Sequence, residues 1–139
     1  MNIFTFVSQE WLLISILAAL IAVLIITTRK NNGLPIAAGE LVRLMNRDEA
    51  VLIDIRPAND FNAGHIYGAI NMPHSGFSGR ISELEKLRPK TLVLADQMGQ
   101  HAGAIGALLS KQSYQVRRLS GGINNWQHSN LPLVKGSKS

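Results

Sequence analysis

The chain contains no cysteine among its 139 residues. That excludes a disulfide, a thiolate metal site and a cysteine nucleophile. Basic residues are missing from the N-terminal part: all 14 Lys and Arg lie from Arg29 onward, and Glu10 is the single acid before that point. An N-terminus without Lys or Arg lacks the positive region of a secretory signal. The segment Ile26-Thr27-Thr28-Arg29-Lys30 also offers no small-residue cleavage site. A basic tract is missing too. From Arg29 to Ser139 there are 14 bases against 8 acids, but they are scattered, as Arg43, Arg56, Arg80, Lys90, Arg117 and Arg118 show. Scattered positive charge suits an anionic membrane surface or an ordinary solvated one, and gives no nucleic-acid footprint. His65, His74, His101 and His128 show no metal-ligand spacing, so neither a metal site nor a cofactor is expected. There are no internal repeats.

What is present begins with Trp11 to Thr28, 18 residues without a charge. A bilayer core about 30 Å thick takes roughly 20 apolar residues in a helix, and Ile3 to Val7 add apolar length upstream. A core helix of this length would show a polar face, and this one has none. The stretch therefore reads as an uncleaved membrane anchor within residues 1–30, with the span at about 11–28. Glu10 precedes it and Arg29-Lys30 follow, which places the N-terminus outside and the remainder in the cytoplasm. Trp11 suits the interfacial belt at the outer end. Ser15, Ala18, Ala19 and Ala22 fall at i, i+3, i+4 and i+7, a small-residue stripe of the kind that lets membrane helices approach. Chance in an alanine-rich span would give the same pattern.

Residues 31–36, with the breaker Asn31-Asn32-Gly33, read as a short linker that keeps the following domain near the headgroups. Residues 37–134 then alternate helix and strand. Ala38 to Asn46 is a helix with Leu41, Leu44 and Met45 on one face. Ala50 to Arg56 is a strand stopped by Pro57. Ala58 to Ala63 is a helical turn. Gly64 to Asn71 is a turn running into a short strand. Gly76 to Gly79 is loop and Arg80 to Leu87 a helix. Thr91 to Ala95 is a buried strand, followed by a turn at Gly99 and a helix to Lys111. Val116 to Leu119 is a strand, and Gly121-Gly122 open a short helix ending near Gln127. Pro132 and residues 135–139 read as a loose tail. The alternation predicts an α/β domain with a mainly parallel central sheet flanked by helices.

Several residues have physical roles of their own. Arg56 can pair with Asp60 across the turn after Asp54. Gly64 and Gly68 permit backbone angles that other residues resist. His65 reads as a structural hydrogen-bonding residue, and Trp126 as a lid on the core.

Three blocks together resemble the rhodanese-like domain. The first runs from Asp54-Ile55-Arg56 through Asp60-Phe61 to Gly64-His65-Ile66-Tyr67-Gly68-Ala69. The second is the strand, loop and helix from Thr91 to Lys111. The third is Gly121-Gly122-Ile123-Asn124-Asn125-Trp126. The resemblance spans about residues 36 to 132, and with the N-terminal anchor the chain is similar to a bacterial group of membrane-anchored members of that family. In active members the resemblance implies a six-residue loop that starts with cysteine and ends with arginine; the cysteine carries sulfur as a persulfide. The matching loop here is Asp96-Gln97-Met98-Gly99-Gln100-His101, with Asp96 at the cysteine position and His101 at the arginine position. A carboxylate cannot carry sulfane sulfur, so no catalytic residue and no ordinary sulfurtransferase activity is expected. Three readings of Asp96 stay open. It caps loop amides or the helix start; it is exposed with His101 for a partner; or it is a nucleophile or base in another group transfer. The expected function is a protein-binding or scaffold module on the bilayer, with a protein partner that another membrane protein could supply. The alternative is an enzyme: a sulfurtransferase, or a transferase or phosphatase-like protein using Asp96.

Overall fold

An uninterrupted apolar sequence with an N-terminal Asn favours a long helix, and that is what forms. The computed structural model of the chain describes residues 2–31 and 33–136. Helix α1, Ile3–Asn31, starts where the Asn2 side-chain oxygen accepts the Phe4 amide at 3.0 Å. The Ser15 hydroxyl donates to the carbonyls of Trp11 and Leu12, at 2.8 and 2.9 Å, so the helix satisfies its own polar side chain there. The apolar part, Ile3–Thr28, is long and apolar enough to cross a membrane. It begins eight residues before the expected start at Trp11. Ser15, Ala18, Ala19 and Ala22 all lie on this helix.

The chain divides between Lys30 and Asn31 into two compact units. In the second, five strands pair in parallel in the order β1-β5-β4-β2-β3. They are β1 (Leu34–Ile36), β2 (Ala50–Asp54), β3 (Ile70–Asn71), β4 (Thr91–Ala95) and β5 (Val116–Leu119). Side chains alternate across a strand, and β4 shows the result. Leu92 and Leu94 pack with Phe77, Leu84, Ile105 and Leu109 on one face. Val93 and Ala95 pack with Leu41, Phe61, Ile123 and Trp126 on the other. Helices α2 (Ala38–Asn46), α3 (Ala58–Ala63) and α5 (Gly122–His128) thus cover one face. A 3-10 helical segment, His74–Leu87, and α4 (Ala102–Lys111) cover the other.

Three expectations need correction. Leu34–Ile36 is not linker but edge strand β1, in register with Arg117 to Leu119. It is held by two arginines of β5: Arg118 donates to the Gly33 carbonyl at 2.8 Å and Arg117 to the Pro35 carbonyl at 3.0 Å. Asn31 closes α1, and Asn32 lies outside the described residues. The expected loop over Gly76 to Gly79 is part of the 3-10 segment, which kinks at Gly76 and reaches back to His74. Phe77, Ile81 and Leu84, spaced by four and three, give that segment its buried side. Finally, the C-terminal stretch is tied down. The Pro132 carbonyl accepts the Trp126 indole at 3.0 Å, Val134 bridges His65, and the Gly136 amide donates to Asn62 at 3.0 Å. Of the expected flexible tail, 137–139 lie outside the described residues.

Candidate functional site at the end of the central strand

In a parallel sheet the strand C-termini, the loops after them and the following helix starts share one rim, where unpaired helix amides converge. Here β4 delivers Asp96 to that rim, and Asp96 is buried, at 3% exposure. Its carboxylate accepts the Gly99 amide on one oxygen. The other oxygen accepts the amides of His101, at 2.6 Å, and Ala102, at 3.2 Å. The loop therefore wraps around a side chain of its own, and negative charge at the start of α4 is favoured by the helix dipole. This geometry is that of the capping reading. It contradicts the reading in which Asp96 is exposed to a partner, and it leaves both carboxylate oxygens committed, which disfavours a nucleophile or base.

The outside of the loop is held by α5. The Ile123 amide donates to the Asp96 carbonyl at 2.8 Å and the Asn124 amide to the Gln97 carbonyl at 3.0 Å. Gly122 allows this approach. Gly122 sits at φ +63, and a Cβ there would fall on the Asp96 carbonyl and 2.8 Å from that of Gln97. The Gln97 side-chain amide donates to the Asn124 side chain, and its oxygen accepts Arg56 Nη1 at 3.2 Å. Gln100 accepts the Met98 amide at 3.2 Å, and Met98 projects outward, 62% exposed. The exposed His101 ring stacks on His74 with centroids 3.8 Å apart. The His74 contact was not evident in the sequence, where the two residues lie in separate elements.

Arg56 corrects another expectation. Its partner is not Asp60 but Asp54: Nη2 reaches Asp54 at 2.8 Å and the Gly64 carbonyl at 2.7 Å, and the pair is buried. Strand β2 ends at Asp54, two residues short of the expected end at Arg56, so the pair is made where the chain leaves the strand. The Asn71 side chain adds bonds to the carbonyls of Asp54 and Arg56, at 3.0 and 2.9 Å. His65 is fully buried; its Nδ1 bonds the Phe61 carbonyl at 2.8 Å, and its ring stacks on Phe61. Gly68 does occupy a left-handed conformation, φ +87. Gly64 does not: its φ of 167 is extended, and what it lacks is space, since a Cβ would meet Leu133 at 3.3 Å. Of these glycines, Gly122 is the one whose Cβ would meet the loop, while Gly64 packs on Leu133 and Gly68 faces Met45. No group of three or more metal-ligating side chains occurs among the described residues.

Removing the Asp96 carboxylate tests this arrangement. Asp96→Ala is expected to cost about 2 kcal/mol, the scale of a lost charged cap whose donors water can partly serve. Asp96→Asn is expected to cost a similar amount, because its NH2 meets a backbone donor. Urea unfolding measures both, and faster hydrogen exchange at Gly99, His101 and Ala102 would locate the change.

The comparisons with known proteins agree with this architecture. The family model for the rhodanese-like domain matches residues 37–129. The chain is 36% identical to the uncharacterized protein YibN of Escherichia coli (strain K12), over 97% of this chain and 98% of that protein. It is 29% identical to the thiosulfate sulfurtransferase GlpE of Shewanella oneidensis, over 68% of this chain and 93% of that one. Among solved structures, a rhodanese-related protein from Thermoplasma volcanium superposes with a TM-score of 0.66 at 25% identity, covering 73% of this chain and 97% of the other. With the family model matched over residues 37–129, and with the parallel sheet, the loop after β4 and the Gly121-Gly122 turn beside it, the chain belongs to the rhodanese-like domain family.

Proposed function

We propose that the chain is a catalytically inactive rhodanese-like domain, anchored by α1 as a single-pass protein of the inner membrane and acting there as a protein-binding or scaffold module. The observation that carries the reading is the Asp96 carboxylate, which takes the amides of Gly99, His101 and Ala102 for itself. Sulfur transfer needs a sulfur nucleophile, and the chain has no cysteine to supply one. Active relatives such as the GlpE protein show what the fold can host, but fold alone does not bring activity. The flanking charges, Glu10 before the span and Arg29-Lys30 after it, support an N-terminus outside and the domain in the cytoplasm. The match to YibN over nearly its whole length supports keeping helix and domain together as one design.

Photocrosslinkers placed at Ala22 on the helix and at Met98 on the loop of the full-length protein, in membranes, test the scaffold reading. A discrete protein adduct from at least one position is expected. Adducts with lipid alone at both would count against it. If the helix carries the contact, changing Ala18, Ala19 and Ala22 to leucine weakens the Ala22 adduct; an unchanged adduct dismisses the stripe. A separate expectation concerns the loop frame. Asp96→Cys restores a thiol but yields little thiosulfate:cyanide turnover, because His101 replaces the arginine that clamps the anion. Turnover comparable to that of active relatives would show that His101 is no obstacle.

A further inference from the structure

Arg56 is 6% exposed and carries five N–H donors. The Nε hydrogen lies against both Asp54 oxygens, at 3.1 and 3.2 Å, and the two Nη2 hydrogens go to Asp54 and the Gly64 carbonyl. Nη1 makes one bond, to Gln97. One Nη1 hydrogen therefore has no acceptor among the described residues. Arg56 also lines a pocket of about 220 Å³, together with Asp60, Gly64, Gln97, Gln127 and Leu133. Asp60, on the exposed side of that pocket, forms no ion pair among the described residues. The volume is below the roughly 300–1,000 Å³ of drug-sized ligand sites. It suits one side chain with its own carbonyl.

The charges decide the sign of the occupant. Asp54 already neutralises Arg56, so Asp60 leaves the pocket with a net negative charge. An anion such as thiosulfate or phosphate is repelled, and a cation is attracted. Gln97 is held on both ends of its amide, by Arg56 and Asn124, and so keeps the wall in place. We propose that this pocket docks an arginine of a protein partner. The partner's guanidinium pairs with Asp60, in the fork geometry that suits a carboxylate, and its backbone carbonyl takes the free Nη1 hydrogen of Arg56. The proposal rests on the binding-module reading and names the chemistry that its partner must present.

The test is an NMR titration of the full-length protein in detergent micelles with N-acetyl-arginine-N-methylamide, and with the matching glutamate compound as control. Saturable shifts of the Gly64 and Gln97 amides are expected with the arginine probe alone. Asp60→Asn is expected to weaken that binding about fivefold, the size of one exposed ion pair. No saturable shift at Gly64 and Gln97, equal shifts with both probes, or unchanged binding by Asp60→Asn would overturn the proposal. The Ala22 and Met98 crosslinks separate the two readings. A failed titration with crosslinks intact removes the pocket and leaves the scaffold; a specific titration without protein crosslinks removes the scaffold and leaves the pocket.

Discussion

Arg56→Ala is expected to destabilise the domain by about 3–5 kcal/mol, the cost of leaving a buried carboxylate without its partner. Asp54 is completely buried, and its carboxylate accepts both the Arg56 side chain and the Arg56 backbone amide, the latter at 3.0 Å. The substitution removes the charge that balances Asp54 and also the bonds to Gly64 and Gln97. Three stretches of chain lose their common tie: the end of β2, the turn before His65, and the loop after β4. Urea unfolding measures the loss. The double variant Asp54→Leu with Arg56→Met separates burial of charge from geometry. It is expected to regain part of the stability, since an apolar pair of similar volume avoids the unpaired charge. A single variant as stable as the parent would mean that Asp54 finds another partner.

Gly122→Ala is expected to cost on the order of 3 kcal/mol, combining a left-handed residue with a steric overlap. The residue lies at φ +63, and the new Cβ would press on the carbonyls of Asp96 and Gln97. Those carbonyls accept the Ile123 and Asn124 amides, so relief of the overlap breaks the contact between α5 and the loop. The change should therefore appear in two ways: a lower unfolding midpoint, and faster exchange at Ile123 and Asn124. Gly39→Ala is the contrast, because nothing lies within 4 Å of a Cβ there and no such strain applies. If Gly122→Ala leaves both readouts unchanged, the loop is not braced by α5 in the manner described.

The parts of this fold that were legible in the sequence are those with local signals. The branched run Thr91 to Ala95 reads as a buried strand, and each of its faces is indeed packed. Helix α2 keeps Leu41 in the core with Leu44 and Met45 beside it. What the sequence hid depends on distant partners. Strand β1 is three residues with Pro35 in the middle, too short for a periodic signal, and it exists because β5 supplies its ladder 83 positions later. The C-terminal stretch looks loose in isolation, yet Trp126, His65 and Asn62 hold it. At the site, the loop from Asp96 to His101 between strand and helix was legible. The direction of the Asp96 carboxylate was not, because the three amides that hold it become convergent only after the chain has turned through Gly99 into α4. The Arg56 pairing was not legible, because β2 ends at Asp54 and the pair forms where the chain leaves the strand; the expected partner, Asp60, lies on the following helix and is not paired with Arg56.

On the proposed reading, the loop geometry keeps the family frame and gives the loop amides to a side chain of the chain itself. The Asp96 carboxylate takes the amides of Gly99, His101 and Ala102, and α5 closes over the loop's carbonyls from outside. The most direct measurement is thiocyanate formation from thiosulfate and cyanide by the purified full-length protein with Asp96 in place. The expected rate equals that without protein. Thiocyanate production that rises in proportion to the concentration of this cysteine-free chain would contradict it.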